Sequence, residues 1–149
     1  MKTTKAIYFD MDGTIADLYG VEGWLDDLIN SRPRPYAEAL PLLRMATLAR
    51  LLNKLQRMGY IIGIVSWLSK SGTVEYNNEV IKVKKEWLNI HLHSVTFDEI
   101  HIVPYGTPKE EVVENPFGIL FDDEKPNREN WCGPAYDVDN IIEILKALE

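Results

Sequence analysis

Short apolar runs alternate with longer amphipathic stretches along the whole chain. Ala6-Ile7-Tyr8-Phe9 is uninterrupted and rich in β-branched and aromatic residues, as a buried strand is. Ile61-Ile62-Gly63-Ile64-Val65, residues 100–103 and Gly118-Ile119-Leu120-Phe121 read the same way, and Ala135-Tyr136-Asp137-Val138 as a short fifth strand. Residues 42–58 are predicted as a helix: Leu43, Leu48, Leu51, Leu52 and Leu55 make one apolar stripe, and Gly59 stops it. Residues 75–88 form a second, with Val80, Val83, Trp87 and Leu88 toward the core. Residues 109–114 have room for one or two helical turns, and Asp139 is placed to cap a last helix over 140–148. Strands that alternate with helices imply an α/β fold with a parallel sheet covered by helices on both faces, a Rossmann-like three-layer α/β/α arrangement.

One region is less regular. Leu18, Tyr19, Trp24, Leu25, Leu28 and Ile29 recur at roughly helical spacing until Ser31-Arg32-Pro33-Arg34-Pro35 breaks the pattern. Residues 16–36 therefore read as a small cap-like insert within a single domain, 1–149, of ordinary size. Trp24 and Trp87 are expected in the core, and Trp131 against the sheet edge.

Composition narrows the function classes. The net charge of −7 argues against broad binding to nucleic acid or to an anionic membrane. Cys132 is the sole cysteine, so no intrachain disulfide is possible and a reducing compartment is expected. The first residues lack the apolar core of a signal peptide, and no apolar run is long enough to span a membrane, which makes the cytoplasm the expected location.

The candidate chemistry gathers at strand ends. The first strand runs into Asp10-Met11-Asp12-Gly13-Thr14. Side chains two apart on a strand point the same way, so Asp10 and Asp12 can face one pocket. Two such charges repel unless a cation lies between them or one takes a proton. Ser66 follows the second strand, Lys109 comes a few residues after the third, and Asp122-Asp123 ends the fourth. Ligands of open parallel sheets bind outside the carboxyl ends of the strands. Each residue also has a plainer reading. Asp-Gly is a turn pair, Ser66 can cap or turn the chain, and Asp122-Asp123 can cap a helix before Pro126. Lys109 can be a solvated lysine, although a cation where a helix begins is mildly unfavourable. Lys82, Lys84 and Lys85 stand as alternatives to it.

In this order the residues resemble the four motifs of the haloacid dehalogenase (HAD) superfamily of phosphohydrolases. Asp10-Met11-Asp12-Gly13-Thr14 matches D-x-D-G-T, Ser66 the second motif, Lys109 the third and Asp122-Asp123 the acidic fourth. The stretch around Ile119 to Pro126, and the helix with Lys84, Trp87 and Leu88, resemble small 5'-nucleotidase-like members. The resemblance implies a strand order of 5-4-1-2-3, with Asp10 as nucleophile and Asp12 as general acid and base. It implies Mg²⁺ bound by Asp10, by Asp12 through its backbone carbonyl, and by the Asp122-Asp123 pair, of which Asp123 aligns better. Ser66 and the amide of Trp67 would hold phosphate oxygens, and Lys109 would offset charge on Asp10 and on the transferring group.

The expected function is Mg²⁺-dependent hydrolysis of a small phosphorylated substrate through an aspartyl-phosphate. A nucleoside monophosphate suits a short lid carrying Leu18, Tyr19 and Trp24, with Trp67 as a further ring at the pocket. Two alternatives are a HAD-like binding protein without activity and a phospho-receiver module. The receiver is disfavoured because D-x-D puts both acids on one strand. Oligomeric state is not legible in the sequence.

Overall fold

Four consecutive buried residues, Ala6–Phe9, form β1, and the rest of the molecule is arranged about it. The computed structural model describes residues 5–149, so the expectation that residues 1–4 belong to the same domain lies outside the described residues. A short ribbon follows, in which β2 (Ala16–Asp17) pairs antiparallel with β3 (Leu40–Pro41). The main sheet is completed by β4 (Ile61–Trp67), β5 (Glu99–Val103), β6 (Ile119–Phe121) and β7 (Ala135–Tyr136), all parallel to their neighbours. Its order is β5-β4-β1-β6-β7. Numbered without the ribbon, which shifts the labels by two, the order reads 5-4-1-2-3 from the β7 edge.

The helices are α1 (Trp24–Ile29), α2 (Arg34–Glu38), α3 (Met45–Arg57), α4 (Val74–His91), α5 (Lys125–Asn130) and α6 (Ile141–Ala147). The pleat of β1 divides the core in two. Ile7 and Phe9 pack with Leu48, Leu51, Leu52 and Leu55 of α3, Trp87 and Leu88 of α4, and Ile141 and Leu145 of α6. Ala6 and Tyr8 face the other way, toward Val65, Val113, Leu120 and Trp131. The result is an α/β fold, a parallel sheet flanked by helices. Gly63 in β4 is a packing requirement: a Cβ there would stand 2.6 Å from the Tyr8 ring. No helix among the described residues is long and apolar enough to cross a membrane.

Three local features depart from or add to the sequence expectations. The mixed segment over residues 16–34 carries a short helix, α1, and runs into a second, α2. Gly23 (φ 77°) opens α1, and Ser31 (φ 55°) turns the chain before α2. Leu25 and Ile29 are 53% and 71% exposed, whereas Leu18 and Tyr36 are buried against Tyr76 and Val80 of α4. Polar contacts hold the insert instead, with Asp27 buried and accepting from Arg32 and Arg34. The last helix is entered through a short 3-10 turn over Val138–Asn140 capped by Asp137, not by Asp139. Helix α5 is not expected from sequence, because its six residues, five polar and Pro126, offer no apolar stripe.

Candidate active site

β1 lies where the chain reverses direction across the sheet, between β4 and β6, and the crevice beyond its carboxyl end is lined from several strands. Asp10 follows Phe9 directly, and its amide donates to Phe121 O at 2.9 Å. The chain then folds back tightly, with the amides of Thr14, Ile15 and Ala16 all donating to Met11 O. Gly13 has φ 80°, and a Cβ there would fall on the Asp123 carboxylate, so glycine is required twice over. The buried Thr14 hydroxyl donates to Asp10 Oδ2 at 3.2 Å and fixes that carboxylate.

Two lysines reach the acids. Lys109, 2% exposed in a 3-10 turn after β5, donates to Asp10 Oδ1 at 3.0 Å and to Asp122 Oδ2 at 2.7 Å. Asp122 also accepts from Asn127 Nδ2 at 3.2 Å and from the Glu124 amide at 2.9 Å, so its oxygens are taken by protein donors. The second lysine is Lys84 of α4, which donates to Asp12 Oδ2 at 2.9 Å, Ser66 Oγ at 2.8 Å and Trp67 O at 2.9 Å. Of the alternatives to Lys109, Lys84 is thus in the site as well, beside Asp12 rather than Asp10.

A cavity of about 260 Å³ opens onto this group. Asp10, Asp12, Asp123 and Lys109 line its floor, and Asp122 does not reach it. The insert supplies one wall with Leu18, Tyr19, Trp24 and Tyr36. Tyr19 and Trp24 meet edge to face at 5.0 Å. Trp24 is therefore a wall residue, not the core residue its spacing suggested. Trp67 and Tyr105 form another wall, 4.9 Å apart, with Trp67 Nε1 donating to Thr107 O. Ser66 is fully buried behind Trp67 and is not itself a lining residue.

The electrostatics are those of acids short of a cation. Burial, with Asp10 beside it, pushes the Asp123 carboxyl up to about 8. Burial and Asp10 push Asp122 up to about 6 against the pull of Lys109. Burial raises the Asp12 carboxyl against the pull of Lys84. Burial draws Lys109 down, but Asp10 and Asp122 outweigh it and hold its proton above the ordinary lysine value. Oxygens of Asp10, Asp122 and Asp123 lie within 4.8 Å of one another. Together with Asp12 these acids outnumber the lysines bonded to them, Lys84 and Lys109. Surplus negative charge on close carboxylate oxygens is a donor set that suits a hard divalent cation.

Thr14, Tyr105 and Asn127 gained no site role from sequence, and Lys84 only one as an alternative to Lys109. Lys84 did carry a signal: it sits four residues after Val80 and three before Trp87, on the apolar stripe of its helix. Asn127 and Tyr105 had none.

No protein-family model and no curated protein sequence matches the chain. Among solved structures it is similar to the D,D-heptose 1,7-bisphosphate phosphatase of Burkholderia thailandensis, with 10% identity, a TM-score of 0.60 and 97% of each chain covered. At that identity the likeness establishes the fold.

Proposed function

We propose that this chain is a HAD-type phosphohydrolase that cleaves small phosphomonoesters through an aspartyl-phosphate on Asp10. The observation that carries the reading is the Asp10 carboxylate itself. It lines the cavity, is held by Thr14, and has the Lys109 ammonium at 3.0 Å and Asp123 beside it. The shared fold with a phosphatase supports it.

In the first step an Asp10 oxygen attacks phosphorus and the bond to the leaving oxygen breaks. The electron pair goes to that oxygen, which takes a proton from Asp12. In the second step Asp12 accepts a proton from a water that attacks the same phosphorus. The bond to Asp10 breaks, giving inorganic phosphate and the free carboxylate. Lys109 offsets the charge that builds on the transferring group and on Asp10. The Trp67 amide is assigned to a phosphate oxygen, whereas Ser66, expected to share that role, lies buried outside the cavity and holds Lys84. Asp10, Asp123 and the Asp12 carbonyl are the ligands assigned to Mg²⁺, and Asp122 orients Lys109 behind them. Bound there, Mg²⁺ would screen the repulsion between the carboxylates and an anionic substrate.

The residues between β2 and β3 act as a small lid in this reading. The cavity lies just below the roughly 300–1,000 Å³ common for ligand sites, which favours a small monoester over a polymer end. Its rings favour a flat substituent, for which a nucleoside monophosphate is the natural candidate. The same reading places the enzyme in the cytoplasm, where the exposed Cys132 thiol stays reduced. The test is a panel of phosphorylated metabolites and nucleotides scored for released phosphate with Mg²⁺, with EDTA as control. Turnover on at least one monoester that EDTA abolishes is expected, and no turnover across the panel would overturn the proposal.

A further inference from the structure

The reaction set out above makes no use of Lys84, yet Lys84 is among the most buried groups of the site. It is 1% exposed and lies on the apolar face of α4. An ammonium in that place is costly unless its protons are all engaged. They are: an ammonium has three donors, and Asp12 Oδ2, Ser66 Oγ and Trp67 O accept at 2.8–2.9 Å. The Tyr36 ring covers it at 5.1 Å. Lys84 therefore has no proton to give a substrate without breaking a bond it already makes. Its effect on Asp12 is geometric. It ties Oδ2 down, and Asp12 Oδ1 makes no hydrogen bond to any described residue.

We infer that Lys84 is a positioning residue for proton transfer: it holds the Asp12 carboxylate by Oδ2 so that Oδ1 is the oxygen that exchanges a proton with the leaving group. This rests on the phosphatase reading above. The bond that breaks is still phosphorus to leaving oxygen, and the proton still moves from Asp12 to that oxygen. Lys84 fixes only which Asp12 oxygen carries it.

A leaving group that departs easily as an anion needs little protonation, whereas an alkoxide needs it badly. Lys84→Met should thus lower kcat/KM, which reads the step in which the leaving group departs, by about 10²-fold more on an alkyl phosphate such as glycerol phosphate than on p-nitrophenyl phosphate. In an Asp12→Asn background, Lys84→Met should add nothing to the selective loss on the alkyl phosphate, because the group it positions is gone. Lys84→Gln, which keeps two of the three N–H donors on a shorter, uncharged arm, should show the same selectivity in weaker form. Equal losses on the two substrates, no loss on either, or losses that add to those of Asp12→Asn would overturn the inference. So would a failure of both Lys84 variants to fold, which would make the residue structural. An inactive wild-type chain would sink the phosphatase reading and this inference with it, whereas an active wild type with equal losses sinks this inference alone.

Discussion

Asp122 Oδ2 stands 2.7 Å from Lys109 Nζ, and both side chains are almost wholly shut off from solvent. The pair works as a bracket. Asp122 is anchored by Asn127 and the Glu124 amide, and the lysine it holds is carried to 3.0 Å from Asp10. Removing the cation leaves two buried carboxylates unpaired. Lys109→Met should therefore cost on the order of 3–5 kcal/mol of stability. It should also lower kcat by about 10²–10³-fold, as loss of one preorganised charge-stabilising donor does. Urea unfolding checks the first figure and phosphate release the second.

The two acids after β1 should separate by severity. Asp10→Asn should abolish turnover, since an amide cannot form the acyl-phosphate. Mass spectrometry of acid-quenched wild type should find phosphate on Asp10, and none in the variant. Asp12→Asn should slow both steps by roughly 10²–10⁴-fold. Both variants should stay folded, because losing one of several crowded charges relieves repulsion.

Without a divalent cation, stability should fall as pH rises from about 4 to about 8. The Asp123 carboxyl is held near 8 in the folded chain against an ordinary 3.8, so within that window the folded state keeps a proton that the unfolded chain has released. Where the folded state binds more protons, raising the pH favours unfolding. Asp122, raised to about 6, and Asp12, raised by burial, act in the same direction. Mg²⁺ should offset the loss, so the melting temperature should rise more on adding Mg²⁺ near pH 8 than near pH 5. A flat thermal-stability profile in EDTA would contradict the charge surplus described here.

Gly13→Ala should damage site and fold together. The left-handed backbone alone costs about 1–2 kcal/mol for any other residue. The added methyl also collides with the Asp123 carboxylate. A lower melting temperature and a higher Mg²⁺ concentration for half-maximal phosphate release are the expected results.

The aromatic wall should govern substrate choice. Tyr19 is 48% exposed, so Tyr19→Ala should leave stability nearly unchanged. If the ring stacks on a base, KM for nucleoside monophosphates should rise by up to roughly tenfold while a minimal aryl phosphate is spared. Equal changes on both substrates would show that the ring packs the insert rather than the substrate.

Local pattern encodes which segments are strands and which face each element buries. The apolar runs fixed the five strands of the main sheet, and the leucine stripe of α3 fixed the face it buries. Alternation of strands and helices fixed a parallel sheet, which sends the polar residues after β1 and β6, and Ser66 at the last-but-one position of β4, to one edge. Tertiary structure decided which of them meet. Lys84 and Asp12 are 72 residues apart, and Lys109 and Asp10 are 99 apart. No periodicity records such a distance, because burial patterns tell a residue which side to face and not which neighbour it will find there. The split between Asp122, enclosed behind Lys109, and Asp123, facing the cavity, arises the same way: adjacent residues at a strand end point apart, and only the packed site shows which side holds solvent. The insert was the least legible part, since it is held by Asp27 and its arginines and by contacts to α4 rather than by a stripe of its own.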